Sequence, residues 1–272
     1  MPATRSEILA TLAWLLDAGA DEAVADTAID RLAAAAPLPP RMPVQSAATP
    51  VLPRAPAPAA RAAPPPAVPD AIGSAMEIAA RCTTLAELKA ALEAFEGCAL
   101  KANASHTVFA DGSPDEGIMC IGEAPGQEED RTGLPFVGRA GRLLDRMLAA
   151  IGLDRTTVYI TNVLPWRPPD NRNPDPNEAA VCIPFLRRHI ELARPRMLIL
   201  LGATAVRHVA GHTDGIMRAR GRWLEYFVDG AMIPVMPTLH PAYLLRRPID
   251  KKLAWRDLQA VAVRLEKRPA RQ

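Results

Sequence analysis

The sequence predicts an α/β domain built on a parallel sheet with helices on both faces, preceded by a segment that does not share its core. Three observations carry this. Short apolar runs, "GIMCIGEAPG" (117–126), "TVYITN" (157–162), "RMLILLG" (196–202) and "MIPVMPTLHP" (232–241), each end in a polar or Gly/Pro-rich turn. Helical patterns at about 137–151, 176–193 and 203–211 separate them. Strands that alternate with helices read as parallel crossovers, which cover both sheet faces and so leave the strands uniformly apolar. Finally, composition changes abruptly between Pro37 and Pro69 to Pro, Ala and a few Arg, which cannot bury enough surface to fold.

Taken in order, residues 1–36 place apolar side chains at helical spacing (Ile8, Leu9, Leu12, Leu15, Leu16) and predict an N-terminal helical segment. Residues 37–69 predict a disordered Pro/Ala-rich linker, with a docking role for a repair partner kept open. A helix over about Asp70–Glu96 leads into the main domain, 70–272, and "WLEYFVDGAMIPV" adds a hairpin turning at Asp229-Gly230.

Bulk properties exclude some classes. The chain has 272 residues, 49% of them hydrophobic, enough for a packed core, and a formal net charge of +2. No global field marks a nucleic-acid binder, so any DNA contact must use local Arg and Lys clusters. No run of about 18 uncharged apolar residues predicts a membrane span, Asp17 interrupts the N-terminal apolar stretch, and the protein is expected in the cytoplasm. Cys82, Cys98, Cys120 and Cys182 are scattered without a C-x-x-C pair, so buried thiols are expected and no metal site.

In parallel sheets, ligands bind outside the carboxyl ends of the strands. The first such turn, "GEAPGQEEDRTGLPFVGRAGRLLDRML", is Gly-rich and runs into a helix start whose free N–H groups suit a phosphate, yet it is neither a P-loop nor G-x-G-x-x-G. Each polar residue at these turns has an ordinary structural reading: an Asn caps turns, and a lone His usually sits satisfied in a core. Their convergence is the signal. Glu123, Asn162 and His240 each follow a different strand of one sheet, and three polar groups at one rim form a candidate site. An Asn amide offers a donor and an acceptor and pairs with O4 and N3–H of uracil, whereas cytosine presents the opposite polarity. A neutral His can donate to charge building on a leaving group. Phe136, in a Gly-flanked loop, suits stacking on a flat base or core packing. "WRPPDNR" and "LLRRP" read as stiff basic rims for phosphates.

"GEAPGQEED", "GLPFVGRAGRLLDRML", "VYITNVLPWRPPDNRNP" and "PTLHPAYLLRRP" together resemble the family 4 uracil-DNA glycosylases of bacteria and archaea, in order from about Glu96 to Leu265. The resemblance implies a three-layer α/β/α sandwich around a four-stranded parallel sheet. It also implies hydrolysis of the uracil N-glycosidic bond in single- or double-stranded DNA by a monomer. Under it, Phe136 stacks on the flipped uracil, Asn162 reads its edge, His240 stabilises the departing anion and Glu123 positions water or base, with Gly122 and Gln127 beside them in the base pocket. Leu244 fills the vacated duplex space, and Arg246, Arg167, Arg172, Gly138 and Arg139 contact DNA. Ala124 stands where other branches carry an Asp, so leaving-group stabilisation dominates an oxocarbenium-like transition state.

The chain departs from the family at one place. Family 4 enzymes usually hold a [4Fe-4S] cluster on four cysteines. Here Cys98 and Cys182 match the second and fourth, while Phe95 and Trp166 stand at the first and third. Two thiolates do not hold a four-ligand cluster, so none is expected, with the two rings filling its volume. The competing reading is a non-catalytic or product-retaining uracil or abasic-site binding protein. The uracil-crosslinking branch carries an inserted His-containing loop after the Thr-Asn strand, which this chain lacks.

Overall fold

The computed structural model describes residues 68–266. The expected N-terminal helical segment and nearly all of the Pro/Ala-rich linker lie outside the described residues. A six-stranded sheet organises the rest, in the order β1-β3-β2-β4-β6-β5. Its strands are β1 (Asp111–Gly112), β2 (Ile118–Gly122), β3 (Tyr159–Asn162), β4 (Met197–Leu201), β5 (Leu224–Val228) and β6 (Ala231–Thr238). The central four, β3-β2-β4-β6, are parallel, as expected. The other two are antiparallel edges: β5 is the first strand of the expected hairpin, and β1 was not expected. The β5–β6 hairpin turns where expected, with Asp229 and Gly230 both at positive φ (48° and 78°), the left-handed geometry that a two-residue turn requires.

Side chains on a strand alternate between faces, and here the alternation divides two cores. Met119, Ile121, Leu198, Leu200 and Val235 pack on one face with helices α1 (Val68–Arg81), α2 (Leu85–Ala94) and α5 (Pro176–Ala193). On the other, Ile118, Cys120, Ile160, Ile199 and Met236 meet Leu144 and Leu148 of α4 (Arg139–Ala149) and Val261 of α9 (Lys251–Glu266). This is the three-layer sandwich.

The helix expected over about 70–96 is two helices. After Arg81 the chain leaves helical geometry, and Thr84 caps the second by accepting from the Glu87 N–H at 3.1 Å. The Glu87 carboxylate returns to accept from Thr83 N–H and Oγ1 at 2.7 and 2.9 Å. This local network gives the backbone an alternative to continuing the helix. The remaining short helices are α3 (Gln127–Thr132), α6 (Ala203–Ala210), α7 (Ile216–Ala219) and α8 (Pro241–Arg246). No helix among the described residues is long and apolar enough to cross a membrane.

Candidate active site

Strand register brings the site together. In the β2–β3 pair Gly122 stands opposite Asn162, and pairing continues as Val163 N–H donates to the Gly122 carbonyl and Leu164 N–H to that of Glu123. In the β4–β6 pair Leu201 stands opposite Thr238, two residues before His240. All strand ends are therefore level, and Glu123, Ala124, Phe136, Asn162, Arg172, His240 and Arg246 line one cleft of about 420 Å³, of ordinary size for a small-molecule site.

Asn162 is buried, and among the described residues its Oδ1 has no hydrogen-bond partner. An orphaned buried carbonyl costs about 1–3 kcal/mol, so the position is poised for a donor arriving in the cleft. Gly122 makes this geometry accessible: a Cβ there would lie 2.4 Å from Asn162 Oδ1 and 2.4 Å from Phe136 Cζ. Gly122 thus gives Asn162 and Phe136 room by having no side chain.

His240 caps α8, and Ala242 N–H donates to its Nδ1 at 3.1 Å. A ring that accepts at Nδ1 carries its proton on Nε2 when neutral. Burial, aided by the Arg246 charge, depresses its pKa to about 4, so at neutral pH the ring is a neutral Nε2–H donor. The Phe136 ring centroid is 5.6 Å from that of His240, tilted by 32°.

Phe136 has a φ of 55°, uncommon for an aromatic residue and a form of strain that persists only where the surroundings enforce it. Arg155 supplies the enforcement. Its guanidinium donates to the carbonyls of Pro135 (3.2 Å) and Phe136, and is held by Asp111 and Asp145. Gly141 leaves space for the same loop, since a Cβ there would sit 1.6 Å from the Phe136 carbonyl oxygen. Glu123 is also braced, its Oε2 accepting from Thr204 Oγ1 at 2.7 Å. Neither Arg155 nor Thr204 carries a motif signal, and sequence reasoning missed both. It missed Asn171 and Asn173, which also line the cleft; Asp170 and Asn171 adopt left-handed backbone, at φ of 54° and 52°.

Several expected residues stand elsewhere. Leu244, expected as the duplex wedge, is 1% exposed and packs with Met147, Leu239, Ala254 and Leu258, because it falls on the inward face of α8. On α8 the exposed leucine is its neighbour Leu245 (37%). Gln127 is exposed at the start of α3 and does not line the cleft. The Gly138 N–H, expected to meet a phosphate, donates instead to Glu129 Oε1 at 2.9 Å, while Gly126 N–H donates to Oε2 of the same carboxylate at 3.1 Å. Glu129 is accordingly a clamp between two cleft loops, with both oxygens committed. Arg139 is exposed on the first turn of α4 without lining the cleft, and Arg167 donates to Asn171 Oδ1 at 2.8 Å outside it. Arg172 lines the cleft and also pairs with Glu178.

On the α5 face, Cys98 and Cys182 are buried within hydrogen-bonding reach of each other, and that contact together with burial pushes the Cys182 thiol up. Phe95 packs edge-on against Phe185, centroids 5.1 Å apart, and Trp166, 1% exposed, donates Nε1–H to Thr107 Oγ1 at 3.0 Å. Two thiols beside two buried rings do not fit a cluster that takes four thiolates.

The uracil DNA glycosylase superfamily model matches residues 109–259. A type-4 uracil-DNA glycosylase of Thermotoga maritima is 45% identical over 150 residues, 55% of this chain and 77% of that protein. One of Sulfurisphaera tokodaii is 35% identical over 183 residues, 65% of this chain and 83% of that protein. One of Archaeoglobus fulgidus is 42% identical over 155 residues, 56% and 78% respectively. The match begins in the strand-leading segment at Phe109 and runs into α9, enclosing every cleft residue described above, and so the chain belongs to the uracil DNA glycosylase superfamily.

Proposed function

We infer that this protein is a uracil-DNA glycosylase, a hydrolase that cleaves the N-glycosidic bond of uracil in DNA and leaves an abasic site for base excision repair. The single observation that carries the reading from family to site is the buried, unpartnered Oδ1 of Asn162 in a cleft shared with a neutral His240. A flipped uracil supplies what Oδ1 lacks, an N3–H donor, and its O4 accepts from the Asn162 amide N–H. Cytosine at the same place leaves both amide groups opposed, so it is rejected.

The roles follow from the geometry. Phe136 lies against one face of the base. As the bond from N1 to C1′ lengthens, its electron pair passes to the uracil ring, and charge collects on O2. The Nε2–H of His240 meets that charge, a contribution of about 3–4 kcal/mol for one such donor. Water adds to C1′ of the oxocarbenium-like sugar, oriented by Glu123, whose carboxylate Thr204 holds in place, and the proton it sheds to solvent balances the negative charge that leaves on uracil. Ala124 offers no base of its own. Exposed Leu245 takes the wedge role that the buried Leu244 is not placed to fill.

We also propose that the enzyme works without the iron-sulfur cluster of its relatives' family. Phe95 and Trp166 support this, since they stand at the sequence positions of two of the four thiolates and both rings are buried. Protein purified anaerobically that is colourless and iron-free meets the expectation; stoichiometric iron with a brown colour overturns it. The four free thiols suit a reducing cytoplasm.

The test of function is cleavage of an end-labelled oligonucleotide with one uracil, as single strand, U:G and U:A, by wild type and His240→Ala, with alkali to reveal abasic sites. Uracil-dependent breaks that fall by about two to three orders of magnitude in the variant are expected. Binding of uracil DNA without breaks by the wild type would favour the binding-protein reading.

A further inference from the structure

Helix α9 carries a face that neither the core nor the cleft uses. Ala254, Asp257, Leu258 and Val261 are buried, which at helical spacing turns Lys251, Lys252, Trp255 and Arg256 outward. Trp255 is 43% exposed, and Ile249 in the preceding turn 65%. Although the whole chain is nearly charge-balanced at +2, Arg246, Arg247, Lys251, Lys252 and Arg256 crowd this short stretch. Its carboxylates are occupied: Asp250 accepts from the Tyr243 hydroxyl at 2.7 Å and lies 3.5 Å from Arg247, and Asp257 is buried against Arg220 and Thr238. Among the described residues no carboxylate pairs with Lys251, Lys252 or Arg256.

The patch follows the cleft closely along the chain and is tied to it. Arg246 lines the cleft, His240 and Tyr243 share α8 with it, and the Tyr243–Asp250 hydrogen bond ties that helix to the turn before α9. A tryptophan flanked by cations and by no free acid suits a polyanion that also presents flat apolar faces, which is the chemistry of an unpaired nucleic-acid strand.

We propose that Lys251, Lys252, Trp255 and Arg256 form an auxiliary site for single-stranded DNA leading out of the cleft, in which Trp255 stacks on an unpaired base and the cations follow its phosphates. The site rests on the uracil-excision reading and extends it. It makes the enzyme's footprint longer than the flipped nucleotide and favours single strands over closed duplex, whose bases offer no free face.

The experiment uses the full chain and two single strands containing one uracil, one of about 4 nucleotides and one of about 20, bracketing the usual site size for a single-strand-binding surface. Trp255→Ala should raise KM about tenfold on the long strand, leave kcat unchanged, and leave both parameters unchanged on the short strand. Trp255→Phe should restore the long-strand KM. Lys251→Gln/Lys252→Gln should make the salt dependence of long-strand binding shallower by about 1.4 in log–log slope, at about 0.7 per phosphate contact on a single strand. Equal losses on both strands, or an unchanged long-strand KM and salt slope, would overturn the proposal. Anisotropy with uracil-free single strands repeats the comparison without turnover. A wild type that binds the strand through Trp255 yet excises nothing therefore sinks the activity and keeps the patch.

Discussion

Replacing Gly122 with alanine tests the cleft without removing any group assigned to the chemistry. The new Cβ would lie 2.4 Å from both Asn162 Oδ1 and Phe136 Cζ, about an ångström inside ordinary contact. Both obstacles are the far ends of side chains, and Gly122 is not among the positive-φ glycines, so the strand accepts the methyl group and the two side chains rotate away. The loss falls on recognition. Misplacing the Asn162 amide forfeits two buried hydrogen bonds to uracil at about 1–3 kcal/mol each, and moving Phe136 forfeits about 1 kcal/mol of aromatic contact. At about 1.5 kcal/mol for each hydrogen bond the total is about 4 kcal/mol, roughly a thousandfold fall in kcat/KM. Excision of uracil from a defined oligonucleotide measures it, and urea denaturation measures the companion expectation that stability changes by less than about 1 kcal/mol. Excision within about fivefold of wild type would refute the crowding argument. A loss of fold would refute the claim that only side chains must move.

Other expectations concern charge and packing. Because burial holds the His240 pKa at about 4, below its unfolded value of about 6.5, the folded ring stays a neutral donor down to about pH 5, while its contribution to stability is fully present only above about pH 6.5. Both are lost as pH falls through about 4, so kcat should stay level from neutral pH to about 5 and then drop; a fall centred near 6.5 would contradict the burial. Glu129→Ala leaves the N–H groups of Gly126 and Gly138 without their acceptor, and urea midpoints should show a loss of about 2–4 kcal/mol, with weaker excision as the two loops part. Leu244→Ala should destabilise by about 2–4 kcal/mol, as core leucines do. Leu245→Ala should leave stability within about 0.5 kcal/mol and reduce excision from U:A duplex more than from single strands, because only the duplex needs its gap filled.

How much of this was legible in the sequence follows from what each feature depends on. The four parallel strands, the 176–193 helix and the hairpin at Asp229-Gly230 rest on local periodicity and turn chemistry, and these survive into the fold. So does the convergence of Glu123, Asn162 and His240, because residues that follow parallel strands must meet at one edge of the sheet. The break at Thr83-Thr84 was obscured by apolar spacing on both sides, and only the Glu87 side chain folding back reveals it. Tertiary structure decided the rest. Which of Leu244 and Leu245 is buried depends on the rotation of a short helix against α9. The commitment of the Gly138 N–H to Glu129 links residues nine apart, and the Arg155 clamp on Phe136 links residues nineteen apart, pairings that no periodicity encodes. Local pattern in the chain shows which side chains reach the sheet rim, an amide at Asn162 and an imidazole at His240, and that only Cys98 and Cys182 stand at cluster-ligand positions of the family it resembles. Packing alone determined that the amide oxygen stays unpartnered and that burial keeps the imidazole neutral, because desolvation and hydrogen-bond satisfaction are properties of a side chain's whole surroundings.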